Sequence, residues 1–222
     1  MTRDDQKRAA AEVALEYVEP GSTIGVGTGS TATFFIERLA ELPAARRLGA
    51  AVSSSDTTAA ALRHAGIRVV GLEEALPLPL YVDGADEVDP ELRLIKGRGG
   101  AHAREKVLAS AAELFVCIVD ETKLVEWLGA APVPLAVLPM AAVFVAERLR
   151  ALGGSPAARP GYLTDDGAAV LDVSGLDLSD PERLEAELEA IPGVVASGLF
   201  ARRRADVVLA GTDPGVTRRE RP

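Results

Sequence analysis

Hydrophobic and polar residues form two kinds of pattern in the first half of the chain, one typical of helices and one typical of buried strands. Helical periodicity covers residues 3–18, 55–65, 103–113 and the segment that follows the glycine-rich turn at 25–29. Short apolar runs between these segments predict strands at 22–26, 50–53, 67–70, 78–82 and 114–119. Strands that alternate with helices predict an α/β fold, in which a parallel sheet carries helices on both faces.

The rhythm changes near Ala130, where a proline-studded segment leads into a strand. Helical patterns at 141–152 and 181–190 then alternate with short runs around 162–164, 169–173 and 191–200, which predicts a small α+β unit. The apolar run ADVVLAGT (205–212) has the pattern of one more parallel strand, which returns to the first sheet. We therefore expect a main domain formed by residues 1–129 and 203–222, and a second domain formed by residues 130–202.

Composition narrows the class of protein. The 222 residues carry a net charge of −9, and no apolar run is long enough to cross a membrane. The arginines at 202–204 and the basic C-terminal tail have the pattern of a solvated surface and a frayed end. The N-terminal segment lacks the pattern of a secretory signal, and the single Cys117 fits a reducing compartment. We expect a cytoplasmic protein that binds neither nucleic acid nor membranes.

The turn at residues 25–31, GVGTGST, follows a strand and opens a helix. Successive backbone N–H groups at such a turn bind anions, and the helix dipole reinforces them. The turn is not a P-loop, since no Gly-Lys-Ser/Thr follows, and Ser30 occupies the third glycine position of a dinucleotide fingerprint. Phosphate binding is favoured over a purely structural turn with a Ser/Thr cap, and both interpretations stay open.

Groups suited to acid–base chemistry concentrate between Leu80 and Lys106. Asp83 and Asp86 follow a predicted strand, Lys96 precedes a glycine-rich turn, and Glu105 lies on the apolar stripe of the next helix. A desolvated carboxylate at that position would be a stronger base, although a glutamate there also suits the helix dipole. A metal site is the weaker interpretation, because the EF-hand spacing fails and few ligand residues surround the stretch.

Three further polar features have weaker patterns. The hydroxyl-rich segment 53–58 is expected to cap the helix that begins near Asp56. His64 and His102 are expected on the surface or in loops, since no partner pattern surrounds them. Lys123 follows a predicted strand and is expected at the same sheet edge as the carboxylates.

Several blocks, among them VSSSDTTAAAL, YVDGADEVDPELRLIKGRGGAHAREK, DETKLVEWLG and IPGVVASGLF, resemble ribose-5-phosphate isomerase of the A type. The resemblance runs from the N-terminal helix to about Thr212, and the 83–106 block is specific to that family. It implies an intramolecular oxidoreductase of the non-oxidative pentose phosphate pathway, which interconverts ribose 5-phosphate and ribulose 5-phosphate without a metal or organic cofactor. It also implies a Rossmann-like main domain, a small ferredoxin-like domain at an oligomer interface, and a homodimer or homotetramer.

The resemblance also assigns roles to individual residues. Glu105 matches the proton acceptor of the family, and Lys96, Asp83 and Asp86 match its polar catalytic residues. The residues that match substrate-binding positions are Lys7, Thr28, Gly29, Ser30, Thr31, Gly84, Ala85, Gly97, Arg98, Gly99 and Lys123. The chain departs from the family pattern at Arg98, where many members have glycine, and at Arg203 and Arg204.

Two other classes share parts of this pattern. A non-catalytic sugar-phosphate sensor would need an attached DNA-binding domain, for which this chain has no room. A CoA-transferase-like enzyme would share the glycine turn and lack the pairing of DGADE with KGRGG.

Overall fold

The computed structural model describes residues 1–221, which form two large sheets and one small sheet. The strands are β1 (Thr23–Val26), β2 (Ala50–Ser53), β3 (Leu78–Asp83), β4 (Glu87–Val88), β5 (Leu94–Ile95), β6 (Ala112–Asp120), β7 (Val133–Val137), β8 (Ser155–Ala158), β9 (Ala169–Ser174), β10 (Val194–Ser197), β11 (Leu199–Phe200), β12 (Val207–Gly211) and β13 (Val216–Glu220). The helices are α1 (Arg3–Ala14), α2 (Ser30–Ala40), α3 (Asp56–His64), α4 (Leu72–Ala75), α5 (His102–Ala111), α6 (Ala142–Ala151) and α7 (Pro181–Glu189).

The largest sheet has six strands in the order β13-β12-β6-β3-β1-β2. The five strands from β2 to β12 are parallel, and only β13 at the edge is antiparallel. β12 comes late in the chain, yet it pairs with β6 from Val207 opposite Val116 onward, as expected for the ADVVLAGT run. The strand order reverses at β1, because β2 lies on one side of it and β3 on the other.

Helices cover both faces of this sheet. Alternate residues of β6 point to opposite sides, so Val116 and Ile118 join one core while Phe115 and Cys117 join the other. Helices α1, α2 and α3 complete the first core, with Phe35 and Leu62 fully buried in it. Helix α5 packs on the second face, where it contributes Leu108 and Ala109.

The smaller unit has the element order β7-α6-β8-β9-α7-β10 and an antiparallel sheet in the order β10-β7-β9-β8. This is the ferredoxin-like arrangement, with both helices supplying residues such as Leu149 and Leu188 to a separate core. The three-stranded sheet β11-β5-β4 joins the two units, because β11 follows the small sheet and pairs with β5 directly before Lys96.

Four expectations from the sequence are wrong. Residues 67–70 form no strand and contribute only an isolated bridge between Ala51 and Val69. The tail is not frayed, because Thr217–Glu220 belongs to β13. Arg203 is not freely solvated: its guanidinium donates to Ala109 O at 2.8 Å and to Asp206 Oδ2 at 2.8 Å. His102 is completely buried, whereas His64 is exposed as expected.

Candidate active site

The pocket lies where the order of the main sheet reverses. The glycine turn leaves the carboxyl end of β1, and Asp83 ends the neighbouring strand β3. In an open parallel sheet the loops on either side of such a reversal diverge, which leaves a crevice at the carboxyl ends of the strands. The topology therefore brings together two segments that are more than 50 residues apart in sequence.

The crevice is a cavity of about 410 Å³. Of the residues that the sequence singles out, the following line it: Lys7, Thr28, Gly29, Ser30, Thr31, Gly84, Ala85, Asp86, Lys96, Gly97, Arg98, Gly99, Glu105 and Lys123. Asp83 lies directly beneath this lining. Arg3, Asp120 and Thr122 also line the cavity, although no sequence pattern marks them. The positive side chains of Arg3, Lys7 and Lys123 lie toward one end of the cavity and make that end suitable for an anion.

The N-terminus of α2 faces the same end. Gly29 is the N-cap residue, and it has no side chain that could accept a hydrogen bond from the first N–H groups of the helix. The first N–H groups of an α-helix have no acceptor within the helix. These groups and the hydroxyls of Ser30 and Thr31 therefore supply donors to a bound anion, in addition to the helix dipole.

Thr28 fixes the glycine turn against the start of α3. Its hydroxyl lies 2.8 Å from the hydroxyls of both Ser54 and Ser55, and 3.1 Å from that of Thr58. Ser55 is the N-cap of α3 and accepts from the Thr58 N–H at 3.0 Å, so the capping role expected for this segment is correct. The hydroxyl cluster thus holds the glycine turn against the start of α3.

Asp83 is fully buried, and four donors surround its carboxylate. Oδ1 accepts from the N–H groups of Thr28 at 3.1 Å and Gly84 at 2.7 Å. Oδ2 accepts from Lys96 Nζ at 2.7 Å and from the hydroxyl of Tyr81. These four donors satisfy the buried carboxylate, which ties the glycine turn to the lysine.

Lys96 and Glu105 lie side by side on the wall of the cavity, with 3.0 Å between Nζ and Oε2. The angles at this contact do not make a hydrogen bond, so Oε2 is buried with no hydrogen-bond partner among the described residues. Burial would lower the pKa of Lys96, but the charges of Asp83 and Glu105 outweigh it and raise that pKa, so the amine stays protonated. Burial, together with the charge of Asp83, raises the pKa of Glu105 from 4.5 to about 8.

The loop Lys96–Gly100 needs glycine at two positions. Gly97 has φ +103°, and a Cβ there would lie 2.6 Å from the His102 ring. Gly100 has φ +79°, and a Cβ there would lie 2.1 Å from the Tyr162 hydroxyl. Close packing against these two rings explains the glycines. The loop contacts the carboxylate of Asp86 through Arg98, whose N–H donates to Asp86 Oδ2 at 3.0 Å.

His102 begins α5 next to this loop, and neither ring nitrogen has a hydrogen-bond partner in the part of the chain that the structure describes. Burial, with the charges of Lys106 and Arg159, lowers the pKa of His102 to about 3, so the ring is neutral. No local sequence pattern marks this position, because the residues that bury it are distant in the chain. Within residues 1–221, no three His, Cys, Asp or Glu side chains are grouped closely enough to hold a metal ion.

Known proteins are similar to this chain in sequence and in fold. The family model of ribose 5-phosphate isomerase A (phosphoriboisomerase A) matches residues 50–215. Ribose-5-phosphate isomerase A from Acidithiobacillus ferrooxidans is 51% identical over 220 residues, which cover 99% of this chain and 100% of that protein. The chain belongs to the ribose 5-phosphate isomerase A family.

Solved structures of ribose 5-phosphate isomerases agree with the fold over the whole chain. Ribose 5-phosphate isomerase A from Neisseria gonorrhoeae is 44% identical, with a TM-score of 0.96 over 100% of this chain and 98% of that one. A D-ribose-5-phosphate isomerase in complex with phospho-erythronic acid is 36% identical, with a TM-score of 0.94 over 100% of both chains. The predicted family, the α/β fold class and the activity class of a ribose-5-phosphate isomerase are confirmed. No helix in residues 1–221 has the length and apolar character needed to span a bilayer.

Proposed function

We propose that this isomerase interconverts D-ribose 5-phosphate and D-ribulose 5-phosphate through an enediolate, with Glu105 as the base that moves the proton. The reaction needs one base that reaches C1 and C2, donors for the enediolate oxygens and a site for the phosphate. The cavity offers each of these from a different structural element: α5 supplies Glu105, the loop after β5 supplies Lys96, and α2 supplies the anion site.

The phosphate group is assigned to the N-terminus of α2. Free N–H groups at the helix start, the hydroxyls of Ser30 and Thr31, and the ammonium groups of Lys7 and Lys123 surround that end of the cavity. This assignment is supported by the phospho-erythronic acid bound to the related isomerase, since that acid also carries a phosphate on a short sugar chain. The sugar carbons then extend toward Lys96 and Glu105.

Glu105 removes the proton from C2 of the open-chain aldose. The electron pair of that C–H bond forms the C1–C2 double bond, and negative charge develops on O1. A proton moves from O2 to O1, Glu105 returns its proton to C1, and C2 becomes the carbonyl carbon of the ketose. A base with its pKa raised toward the working pH suits both halves of this transfer, because it must accept and release the same proton.

Lys96 stabilises the enediolate oxygen. Two of its three protons are directed at Asp83 Oδ2 and at Gly84 O, which lies 2.6 Å away, and the third is available to the ligand. The raised pKa keeps the amine cationic, and its burial strengthens the interaction with developing negative charge. The backbone N–H groups at Gly97 and Gly99, which line the same wall, add donors.

The two aspartates are assigned different tasks. Asp83 matches a polar catalytic residue of the family, but its carboxylate already accepts four hydrogen bonds and has no exposed surface. We therefore assign it the positioning of Lys96 and the glycine turn. Asp86 lines the cavity, and within residues 1–221 its carboxylate accepts one hydrogen bond, from the Arg98 N–H. It is therefore the carboxylate that orients sugar hydroxyls, and in ring opening it takes the anomeric hydroxyl proton and returns it to the ring oxygen as the C1–O4 bond breaks.

The observation that carries this proposal is the buried, unpartnered Oε2 of Glu105, 3.0 Å from a permanent cation. The direct test is conversion of ribose 5-phosphate by the purified protein, with and without EDTA, beside the variants Glu105→Gln and Glu113→Gln. Glu113 is exposed on β6 and serves as the control. We expect an EDTA-insensitive activity that Glu105→Gln abolishes and Glu113→Gln retains, with binding of phospho-erythronic acid kept in both. A Glu105→Gln enzyme with wild-type turnover would remove Glu105 from this role.

The assembly is proposed to be a homodimer, or a homotetramer built from it, through the small unit of residues 130–202. Apolar side chains lie exposed on one side of that unit: Met140 is 92% exposed, Val143 is 75% exposed, and Leu138, Phe144 and Val195 are about half exposed. A second copy of the chain is the occupant that we propose for this patch, because large exposed apolar patches mark interaction sites and most soluble oligomers are symmetric homo-oligomers. Two expectations from the sequence stay predictions. One is the cytoplasmic location, and the other is the division into a main domain of residues 1–129 and 203–222 and a second domain of residues 130–202.

A further inference from the structure

Three consecutive carbonyl groups of the Lys96–Gly100 loop are bound by side chains of the small unit. Arg159 follows β8, and its guanidinium donates to Gly97 O at 3.2 Å and to Arg98 O at 3.0 Å. The hydroxyl of Tyr162 donates to Gly99 O at 2.9 Å. Asp172 on β9 fixes the guanidinium from the other side, with contacts of 2.7 and 2.6 Å. We propose that Arg159 and Tyr162 are positioning residues for catalysis, because they hold this loop in the orientation that the substrate requires.

The orientation of the loop follows from peptide geometry. In a trans peptide, the carbonyl of one residue and the N–H of the next point in opposite directions. The carbonyls of Gly97 and Arg98, which Arg159 binds, therefore turn the N–H groups of Arg98 and Gly99 toward the cavity. Tyr162 binds the carbonyl of Gly99, and the N–H of the same peptide, on Gly100, donates to Gly97 O at 2.9 Å and closes the turn. The Arg98 N–H meets Asp86 there at 3.0 Å, so the same contacts also place the carboxylate assigned to the sugar hydroxyls.

The loop has little other support on that side. Behind it lies a second cavity of about 690 Å³, lined by Arg98, Arg159, Tyr162, Asp172 and Pro134 among others. Without the two side chains, the loop could swing into this space and the N–H groups would turn away from the ligand. The glycines at 97 and 100, which permit the turn, also lower the cost of such a movement.

Residues 159–166, which include Arg159 and Tyr162, also contact the main unit directly. Arg104 on α5 contacts Asp56 Oδ1 at 2.8 Å and Asp166 Oδ1 at 2.8 Å, and Asp165 Oδ2 accepts from the Asp56 N–H at 2.8 Å. Residues 159–166 are thus held against the main unit twice, by the contacts of their first half with the Lys96–Gly100 loop and by the contacts of their second half with Arg104 and Asp56. A unit that contributes no group to the proton transfer thereby shapes the wall of the active site.

The test uses Tyr162→Phe, which removes only the hydroxyl, and Arg159→Met, with Arg159→Lys as the conservative variant. The Tyr162 side chain is exposed, so its variant is expected to fold. Tyr17→Phe is the matched control, since the Tyr17 hydroxyl has no hydrogen-bond partner in the described chain. Arg38→Lys is the second control, because Arg38 pairs with Glu12 and Glu41 away from the cavity.

Two measurements are needed: amide hydrogen exchange of a peptide spanning residues 96–101 in the ligand-free protein, and kcat and KM for ribose 5-phosphate. We expect faster exchange confined to that peptide, with kcat/KM lower by about threefold to tenfold for Tyr162→Phe and by about tenfold to a hundredfold for Arg159→Met. Arg159→Lys should recover part of the loss, because a lysine keeps the charge without the planar fork. Both controls should match the wild-type enzyme.

The inference rests on the proposed function, and the two fail in different ways. If the wild-type protein does not turn over ribose 5-phosphate, the function is wrong, while the exchange experiment still reports whether the side chains hold the loop. If the wild-type enzyme is active and the variants keep kcat/KM within about twofold of it, the positioning role is overturned. A loss of kcat/KM without faster exchange in residues 96–101 also overturns it, because the effect would not act through the loop.

Discussion

Lys96 and Glu105 place an ammonium and a carboxylate 3.0 Å apart, with no more than 5% of either side chain exposed. In most buried pairs the two charges stabilise each other and neither titrates near neutral pH. Here Asp83 is the main counter-ion of the lysine, so its negative charge adds to burial in opposing the ionised form of Glu105. The result is a permanent cation beside a carboxylate that gains and loses its proton near neutral pH, which is the combination that proton transfer through an enediolate requires.

The first prediction concerns the pH dependence of kcat/KM. Glu105 must be ionised to accept a proton, and burial with the charge of Asp83 raises its pKa from 4.5 to about 8. We expect kcat/KM to rise with pH along a single limb whose midpoint lies well above 4.5, toward 8, as measured by initial rates at constant ionic strength. A limb centred near the ordinary pKa of a glutamate would contradict the assignment of the base.

The second prediction separates the enzyme group from the phosphate of the substrate, which also titrates near neutral pH. Asp83→Asn removes a negative charge that raises the pKa of Glu105, so the limb should move to lower pH while the substrate is unchanged. The overall rate should also fall, because Lys96 loses its counter-ion. Asp89→Asn is a matched control: Asp89 is buried and paired with Arg93 outside the cavity. An unshifted limb in Asp83→Asn would show that the two carboxylates do not interact.

The third prediction links the same group to folding. Because the pKa of Glu105 is raised in the folded state, the folded protein binds the proton more tightly than the unfolded chain between about pH 4.5 and 8. The contribution of Glu105 to the free energy of unfolding is therefore fully present below pH 4.5 and decreases as pH rises through this window. Glu105→Gln lacks this dependence, so its stability relative to the wild-type protein should increase with pH, by at most about 5 kcal/mol.

Urea unfolding of both proteins at several pH values measures this difference, and Glu113→Gln corrects for the loss of an exposed charge. If the difference between Glu105→Gln and the wild-type protein stays constant from pH 5 to pH 8, Glu105 has an ordinary pKa and the first prediction fails with it. A positive slope would show that the catalytic group costs folding stability at the pH where it works.

The sequence predicted the parts of this molecule that depend on local pattern. The strand–turn–helix segment at Gly29 and the carboxylate at the end of β3 follow from residues that are neighbours in the chain, so the sheet edge and most of the pocket lining could be assigned. The strand predicted at 67–70 failed because its pairing with the edge strand β2 stops after one residue. Ala51 bonds to Arg68 O and to the Val70 N–H, which makes a single bridge at Val69.

What could not be predicted depends on contacts across long sequence separations. The burial of His102 arises from the loop and the small unit that close over α5. Arg159 reaches carbonyl groups some 60 residues away, and nothing in its local sequence distinguishes it from a surface arginine. The four donors around Asp83 likewise come from three segments, and they favour a positioning role for it over direct contact with the substrate.

The fourth prediction concerns the phosphate site. Lys7→Met and Lys123→Met should raise KM for ribose 5-phosphate by about tenfold to a hundredfold with a smaller change in kcat, because the phosphate is bound equally in the ground state and the transition state. The effect should shrink at high salt, since both lysines are partly exposed to solvent. Arg63→Met, an exposed cation outside the cavity, is the control. Equal affinity of the wild-type enzyme for ribose and for ribose 5-phosphate would count against this site.

The fifth prediction concerns the apolar patch of the small unit, formed by Leu138, Met140, Val143, Phe144 and Val195. A charge placed at the centre of an interface between two copies must be desolvated in both, whereas on a free surface it costs almost nothing. Val143→Glu should therefore convert a dimer to a monomer in sedimentation experiments at micromolar concentration, with an unchanged circular dichroism spectrum. Trp127→Glu changes an equally exposed apolar side chain outside the patch and should leave the mass unaltered. A wild-type monomer, or a dimer that Val143→Glu does not dissociate, would rule out this patch as the interface.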